Sequence, residues 1–274
     1  MSSCSSTPHL LIFGMGYSAS HLARRLRVQG WRVTGVRRAA DEEAIAFADQ
    51  RGVMDALQCA SHVLSSVPPD IEGTDPVLTQ YGDAIAAASL SWAGYLSSSG
   101  VYGDTGGAWV DESAPIGQGR RSARAMADLG WQALRPDMRI FRLPGIYGPG
   151  RSAIERVREG RVHMIDLPQQ VFSRIHVDDI AGAVVASFTG PPGIYNIADD
   201  HPCSQNEVIS HACALLGVTA PPLMTIEDVG LSRQARAFYA ENRRVANGRA
   251  KRLLGWEPLY PDYRAGLTEC LDGH

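Results

Sequence analysis

The feature that most constrains this chain is a glycine-bearing turn set between a short apolar run and an amphipathic one. His9–Phe13 is apolar almost throughout and stops at Gly14-Met15-Gly16. The next segment, Ala19–Val28, puts Leu22, Ala23 and Leu26 on one helical face and Arg24, Arg25 and Arg27 on another. Gly30 ends that helix, and Trp31–Val36 reads as a second strand. A strand, helix and strand within about 30 residues form the unit from which parallel sheets are built. Gly14-Met15-Gly16-Tyr17-Ser18-Ala19 fits G-x-G-x-x-A at the strand-to-helix junction. The first glycine makes the tight turn, and the second lets backbone N–H groups approach a pyrophosphate. The helix N-terminus adds free donors and a positive dipole end, while the third position needs only a small residue, here Ala19.

The same stretch comes close to a nucleophile elbow, G-x-S-x-G, but Ser20 stands where the last glycine is required. The turn also follows the first strand, which leaves no room upstream for an oxyanion loop. Gly14, Gly16, Tyr17 and Ser18 are therefore candidates for phosphate binding. The second strand ends in Val36-Arg37-Arg38. An acid there would bind a ribose 2′-hydroxyl, whereas two guanidinium groups suit a 2′-phosphate. Arg37 and Arg38 thus predict NADP in preference to NAD. Ser66 and Val67, closing the next strand, complete this side of the cofactor set.

Alternation continues along the chain. Helices are expected over Asp41–Gln50, Val77–Ser89 and Ser122–Leu134, and strands over His62–Val67, Gly94–Ser98 and Arg139–Leu143. Such alternation predicts an α/β fold with a doubly wound parallel sheet. After Gly148-Pro149-Gly150 the texture changes. A helix is expected near Ser152–Arg158, strands at Val171–Ile175 and Tyr195–Ile197, and helices at Asp178–Phe188, Glu207–Leu216 and Asn247–Leu254.

The formal net charge of −3 offers no basic footprint for nucleic acid. No apolar run is long enough to span a bilayer. The start of the chain lacks the basic and apolar segments of a secretory signal. The five cysteines are scattered, with no Cys-x-x-Cys pair, so neither a disulfide framework nor a zinc site is expected. No histidine spacing suggests a metal. Together these features predict a cytoplasmic protein.

Several segments, in order, resemble the short-chain dehydrogenase/reductase superfamily, in its extended or atypical NAD(P)-dependent epimerase/dehydratase branch. Gly16-Tyr17-Ser18-Ala19-Ser20-His21-Leu22 is similar to that branch's G-F-I-G-S-H-L. Leu96–Gly103 resembles S-S-x-x-V-Y-G, and Arg142–Gly150 resembles R-x-x-x-x-Y-G-P-G. Phe172–Ile180 resembles R-D-F-V-H-V-D-D-L. Tyr195-Asn196-Ile197 and Leu254-Gly255-Trp256-Glu257-Pro258 match two further signatures. The resemblance implies a Rossmann domain of residues 8–147 plus 171–197 and a smaller substrate-binding lobe of residues 148–170 plus 198–274. It implies a catalytic hydroxyl at Ser98, with Ser99 where sugar dehydratases carry an acid. It also implies a nicotinamide-side loop at Pro144-Gly145, a small-molecule substrate (a sugar, nucleotide sugars included, or another hydroxyl or carbonyl compound), and a homodimer. It implies neither nucleic acid nor membrane as a partner.

The superfamily's proton relay is Y-x-x-x-K, in which the lysine lowers the tyrosine pKa and holds the nicotinamide ribose. The chain has one lysine, Lys251, far from the matching stretch. Arg124 stands at the lysine position and Arg120 at the tyrosine position. An arginine keeps the charge with different geometry, but it does not titrate usefully. Tyr102, Tyr147, His176 and Asp111 are candidates to supply a proton instead, and Tyr102 joins Ser98, Ser99 and Arg124 in the catalytic set. Tyr147, Arg174, Tyr239 and Arg243 are candidates for binding an anionic or sugar substrate. Two functions follow: an NADP-dependent oxidoreductase or epimerase with a non-standard proton relay, or a catalytically inactive NADP-binding sensor or scaffold.

Overall fold

A computed structural model describes residues 7–117, 122–231, 236 and 239–272. Its centre is a seven-stranded, wholly parallel sheet. In chain order the strands are β1 (His9–Phe13), β2 (Arg32–Arg37), β3 (Ala44–Ala46), β4 (His62–Ser65), β5 (Trp92–Ser98), β6 (Met138–Leu143) and β7 (Gly193–Asn196). Their order in space is β7-β6-β5-β4-β1-β2-β3. The chain winds outward from β1 to β3, returns across the sheet, and winds outward again from β4. The order therefore reverses between β1 and β4. A crevice opens at the carboxyl ends of the strands at such a switch point, and ligands of open α/β sheets bind there.

Strands buried on both faces need apolar residues at every position, and β1 is buried throughout. Helices α1 (Tyr17–Val28) and α6 (Val177–Ala186) cover one face. Helices α2 (Gln50–Cys59), α3 (Pro76–Ala87) and α4 (Ser122–Leu134) cover the other. Trp131 of α4 stacks on Tyr95 of β5 with ring centroids 5.2 Å apart. A buried ion pair also fixes α4. The Asp128 carboxylate accepts from Arg142 Nη2 at 2.9 Å and Nε at 3.1 Å, and from the Ser97 hydroxyl. A further apolar cluster joins α5 (Ala153–Arg158), α7 (Gln205–Leu215) and α9 (Tyr263–Asp272) around Tyr147, Cys203 and Tyr263. The helix α8 (Gly248–Leu254) packs on β7 and α6.

The structure corrects three expectations. Asp41–Gln50 is not a helix. Asp41 Oδ1 accepts from Glu43 N at 2.9 Å, a local turn that competes with helix formation, and Ala44–Ala46 then adds a sheet edge beside Gly35–Arg37. The helix comes later, capped by Asp49, whose carboxylate accepts from Gly52 N. α9 carries no counterpart among the expected elements. Finally, Cys59 is disulfide-bonded, although the scattered cysteines suggested no disulfide framework, whereas Cys203, Cys213 and Cys270 are free. Cys59 ends α2 beside the start of β1, where its carbonyl lies 3.2 Å from His9 Nδ1.

Candidate active site

Three cavities join along the carboxyl edge of the sheet. The first is a groove of about 250 Å³ lined by Gly16, Tyr17 and Ser18 of the phosphate loop, Ser66, Ser98 and Arg124. Gly14 has φ +87°, a left-handed conformation, and a Cβ there would lie 2.9 Å from both Ser66 Oγ and Val67 Cγ2. At Gly16 a Cβ would meet nothing, so the backbone faces open space. α1 begins at Gly16 with no side-chain cap, which leaves its first N–H groups available to the groove. A pyrophosphate fits this cradle. Arg37 donates to the Met15 carbonyl at 3.3 Å and pairs with Asp41, and Arg38 is exposed at the end of β2.

Ser98, Leu143 and Pro144 are shared between this groove and the second cavity, a chamber of about 100 Å³. Ser98 is the last residue of β5, and its hydroxyl accepts from Gly100 N at 3.1 Å, which closes the turn that follows. Ser99, Gly145, Phe172, Glu241 and Arg243 complete much of the chamber wall. Gly145, Phe172 and Ser173 are in turn shared with the third cavity, of about 450 Å³, which Arg151, Arg156, Arg161 and Arg174 line.

The sequence-predicted residues divide into those brought together and those held elsewhere. Ser98, Ser99, Arg124, Pro144 and Gly145 meet where the groove opens into the chamber. Tyr102 does not join them. It is 2% exposed, and its hydroxyl donates to Asn196 Oδ1 at 2.7 Å and accepts from Arg142 at 3.0 Å. Burial also pushes its pKa up. Arg120 lies outside the described residues. Tyr147 borders the third cavity, but its hydroxyl points to the Asp262 carbonyl, and burial raises its pKa. His176 lies beneath the rings of Tyr147 and Tyr260, and burial lowers its pKa to about 4. Asp111 is exposed and caps its own turn through Ser113.

Arg174 borders the third cavity, but Nη1 and Nη2 are spent on the Phe172, Cys203 and Ser204 carbonyls and on Gln205. Tyr239 packs edge-on against Phe172 with centroids 5.5 Å apart. Arg243 borders the chamber and pairs with Glu241 at 2.8 Å.

Sequence reasoning missed Glu241 and Arg151. Glu241 stands two residues before Arg243, a spacing that puts both on one side of an extended segment. Arg151 follows Gly150, stacks over the Tyr17 ring at 5.5 Å, and borders both the groove and the third cavity. Lys251 pairs with Asp200 at 2.9 Å and Glu257 at 3.1 Å. Among the described residues no helix is long and apolar enough to cross a membrane.

No family model matches the sequence. A solved structure of a conserved protein of unknown function from Silicibacter pomeroyi is 43% identical, with a TM-score of 0.89, and the match covers 97% of this chain and 99% of that one. The structure of the human epimerase family protein SDR39U1 with NADPH is 18% identical, with a TM-score of 0.76, and covers 97% of this chain and 100% of that one. Among curated proteins, a 3-diazoavenalumate denitrifying reductase from a Streptomyces species is 29% identical over 196 residues, 67% of this chain and 63% of that protein. The chain spans less than two thirds of the curated relatives it matches, 63% of this one and 50% of a second.

Proposed function

We infer that this chain, an atypical member of the epimerase/dehydratase branch of the short-chain dehydrogenase/reductase superfamily, is an NADP(H)-dependent oxidoreductase or epimerase that acts on a hydroxyl or carbonyl group of a small anionic substrate. One observation carries the reading: Ser98 stands at the junction of the dinucleotide groove and the chamber, so one hydroxyl borders both compartments. A bound nicotinamide would supply or accept the hydride. The uncapped start of α1 would hold the pyrophosphate, and Arg37 and Arg38 the 2′-phosphate.

Arg124, at the sequence position that matches the superfamily's lysine, borders the groove, and its guanidinium can hold a ribose hydroxyl and favour negative charge nearby. The Ser98 hydroxyl would donate to the reacting oxygen and orient it. The arginines of the third cavity suit a substrate carrying phosphate or carboxylate, which includes nucleotide sugars. The similarity to a denitrifying reductase and to an epimerase family protein whose structure contains NADPH supports this class of chemistry.

Two measurements test the reading. Thermal melts with NADPH and with NADH should both rise, the former more. Replacing Arg37 and Arg38 together by Ala should erase a preference on the order of tenfold. Incubation with NADPH and a panel of aldehydes, ketones and nucleotide sugars should find a substrate. Cofactor binding without any turnover would favour a sensor instead, and equal melting temperatures throughout would overturn the cofactor assignment.

A further inference from the structure

The four arginines that line the third cavity differ in what holds them. Arg174 spends its guanidinium on backbone carbonyls and Gln205, and Arg161 pairs with Glu159. Arg151 is exposed, and among the described residues no carboxylate or carbonyl takes its guanidinium. It stacks instead over the Tyr17 ring, with Cζ 5.5 Å from the ring centroid. Of the four, only Arg151 also lines the dinucleotide groove. We propose that Arg151 is a ligand shared by two anions: it binds the dinucleotide pyrophosphate on the groove side and the anionic group of the substrate on the cavity side. The proposal rests on the oxidoreductase reading above.

The backbone puts Arg151 there. Its own N–H donates to the Gly148 carbonyl at 2.9 Å. On either side, Gly150 N and Ser152 N donate to the Glu155 carboxylate at 2.8 and 2.7 Å, and Ser152 caps α5. This turn is also tied to the phosphate loop. Gly148 has φ +154°, and a Cβ there would lie 2.7 Å from the Tyr17 hydroxyl, so glycine lets the turn close on α1. The Tyr17 hydroxyl donates to the Pro149 carbonyl at 2.9 Å. Tyr17 is the first residue of α1, the helix whose uncapped N–H groups face the groove. The residue whose backbone opens the phosphate cradle therefore carries the Arg151 guanidinium on its ring, and its hydroxyl fixes the turn from which Arg151 extends.

A planar guanidinium carries five N–H donors, and one phosphate takes two of them in parallel. The remaining edge can serve a second anion. An exposed arginine with no protein anion to hold it is rotationally free, so the first anion to bind bears the entropy of fixing it. The second anion meets a side chain already in place. A cation between two anions also offsets their mutual repulsion. Dinucleotide and substrate therefore support each other's binding through one side chain, and neutral substrates forgo that support.

The test needs no substrate. NADPH is titrated by its fluorescence, and inorganic pyrophosphate is then titrated by calorimetry into protein saturated with NADPH. Wild type is compared with Arg151→Ala, Arg151→Lys and Arg156→Ala. Arg151→Ala should weaken NADPH by about fivefold and pyrophosphate by about tenfold. Arg156 lines the third cavity and not the groove, so Arg156→Ala should weaken pyrophosphate and leave NADPH within about twofold. Arg151→Lys keeps the charge without the planar fork and should recover part of both losses. The emission of bound NADPH should persist throughout the pyrophosphate titration. If Arg151→Ala loses only one of the two affinities, or neither, the proposal is overturned. The same follows if pyrophosphate fails to bind wild type or binds only by displacing NADPH. Because the side chain is exposed, both losses should come at an unchanged Tm, and losses that track a lowered Tm also overturn it. A wild type that does not bind NADPH at all defeats the oxidoreductase reading itself, whereas NADPH binding that Arg151→Ala leaves intact defeats this proposal alone.

Discussion

Asp199 shows how little a single buried position has to spare. It is 2% exposed, and burial lifts its pKa to about 8 from the ordinary 3.8, so it is chiefly protonated at neutral pH. One carboxyl oxygen accepts from His201 N at 3.2 Å. The unfolded chain ionises from about pH 3.8 upward while the folded chain holds its proton to about 8. Stability is therefore lost as pH rises through that window and levels above it. Asp199→Asn lacks this dependence, so its Tm should gain on wild type from pH 5 to pH 8 and hold the gain at pH 9. A constant difference across that range would contradict the assignment. At the same scale, the residues of the phosphate loop were legible in the sequence because Gly14 and Gly16 are demanded by local backbone geometry. The place of Glu241 in the chamber wall was not legible, because it depends on a segment tied to residues more than 60 positions away.

At the scale of elements, the site depends on how α4 sits against β5 and β6. Asp128 and Arg142 are 0% and 2% exposed and joined by two hydrogen bonds, and Ser97 adjoins Ser98 on β5. Asp128→Ala would strand a buried guanidinium. A loss of about 3–5 kcal/mol is expected, seen as a Tm lower by roughly 10 °C, and Arg124 should lose its placement beside the groove. Chemical denaturation and an NADPH titration of that variant check both parts. The alternation of apolar strands and amphipathic helices made most of this sheet readable beforehand. The segment after β2 was misread because Asp41 favours a turn and the exposed edge of β2 recruits Ala44–Ala46. Pairing with a neighbouring strand overrode a weak helical pattern there, and only tertiary structure reveals that neighbour.

For the molecule as a whole, the proposed function links cofactor binding to the stability of the fold. A ligand that binds only the folded chain stabilises it by about 2.7 kcal/mol at a concentration one hundred times its Kd. NADPH at such a concentration should raise the Tm of wild type but leave a Gly14→Ala variant nearly unmoved. That variant would carry a strained left-handed alanine with its Cβ against Ser66 and Val67. An equal rise in both would argue against the groove as the binding site. The late position of the chamber wall in the chain has a consequence in time as well. The last strand of the central sheet ends at Asn196, whereas the wall formed by Glu241–Val245 is made about 45 residues later. During synthesis the dinucleotide groove is completed first and the chamber last. Under the proposed function, a nascent chain would meet its cofactor before the chamber wall exists, and chemistry would wait on the segment that completes it.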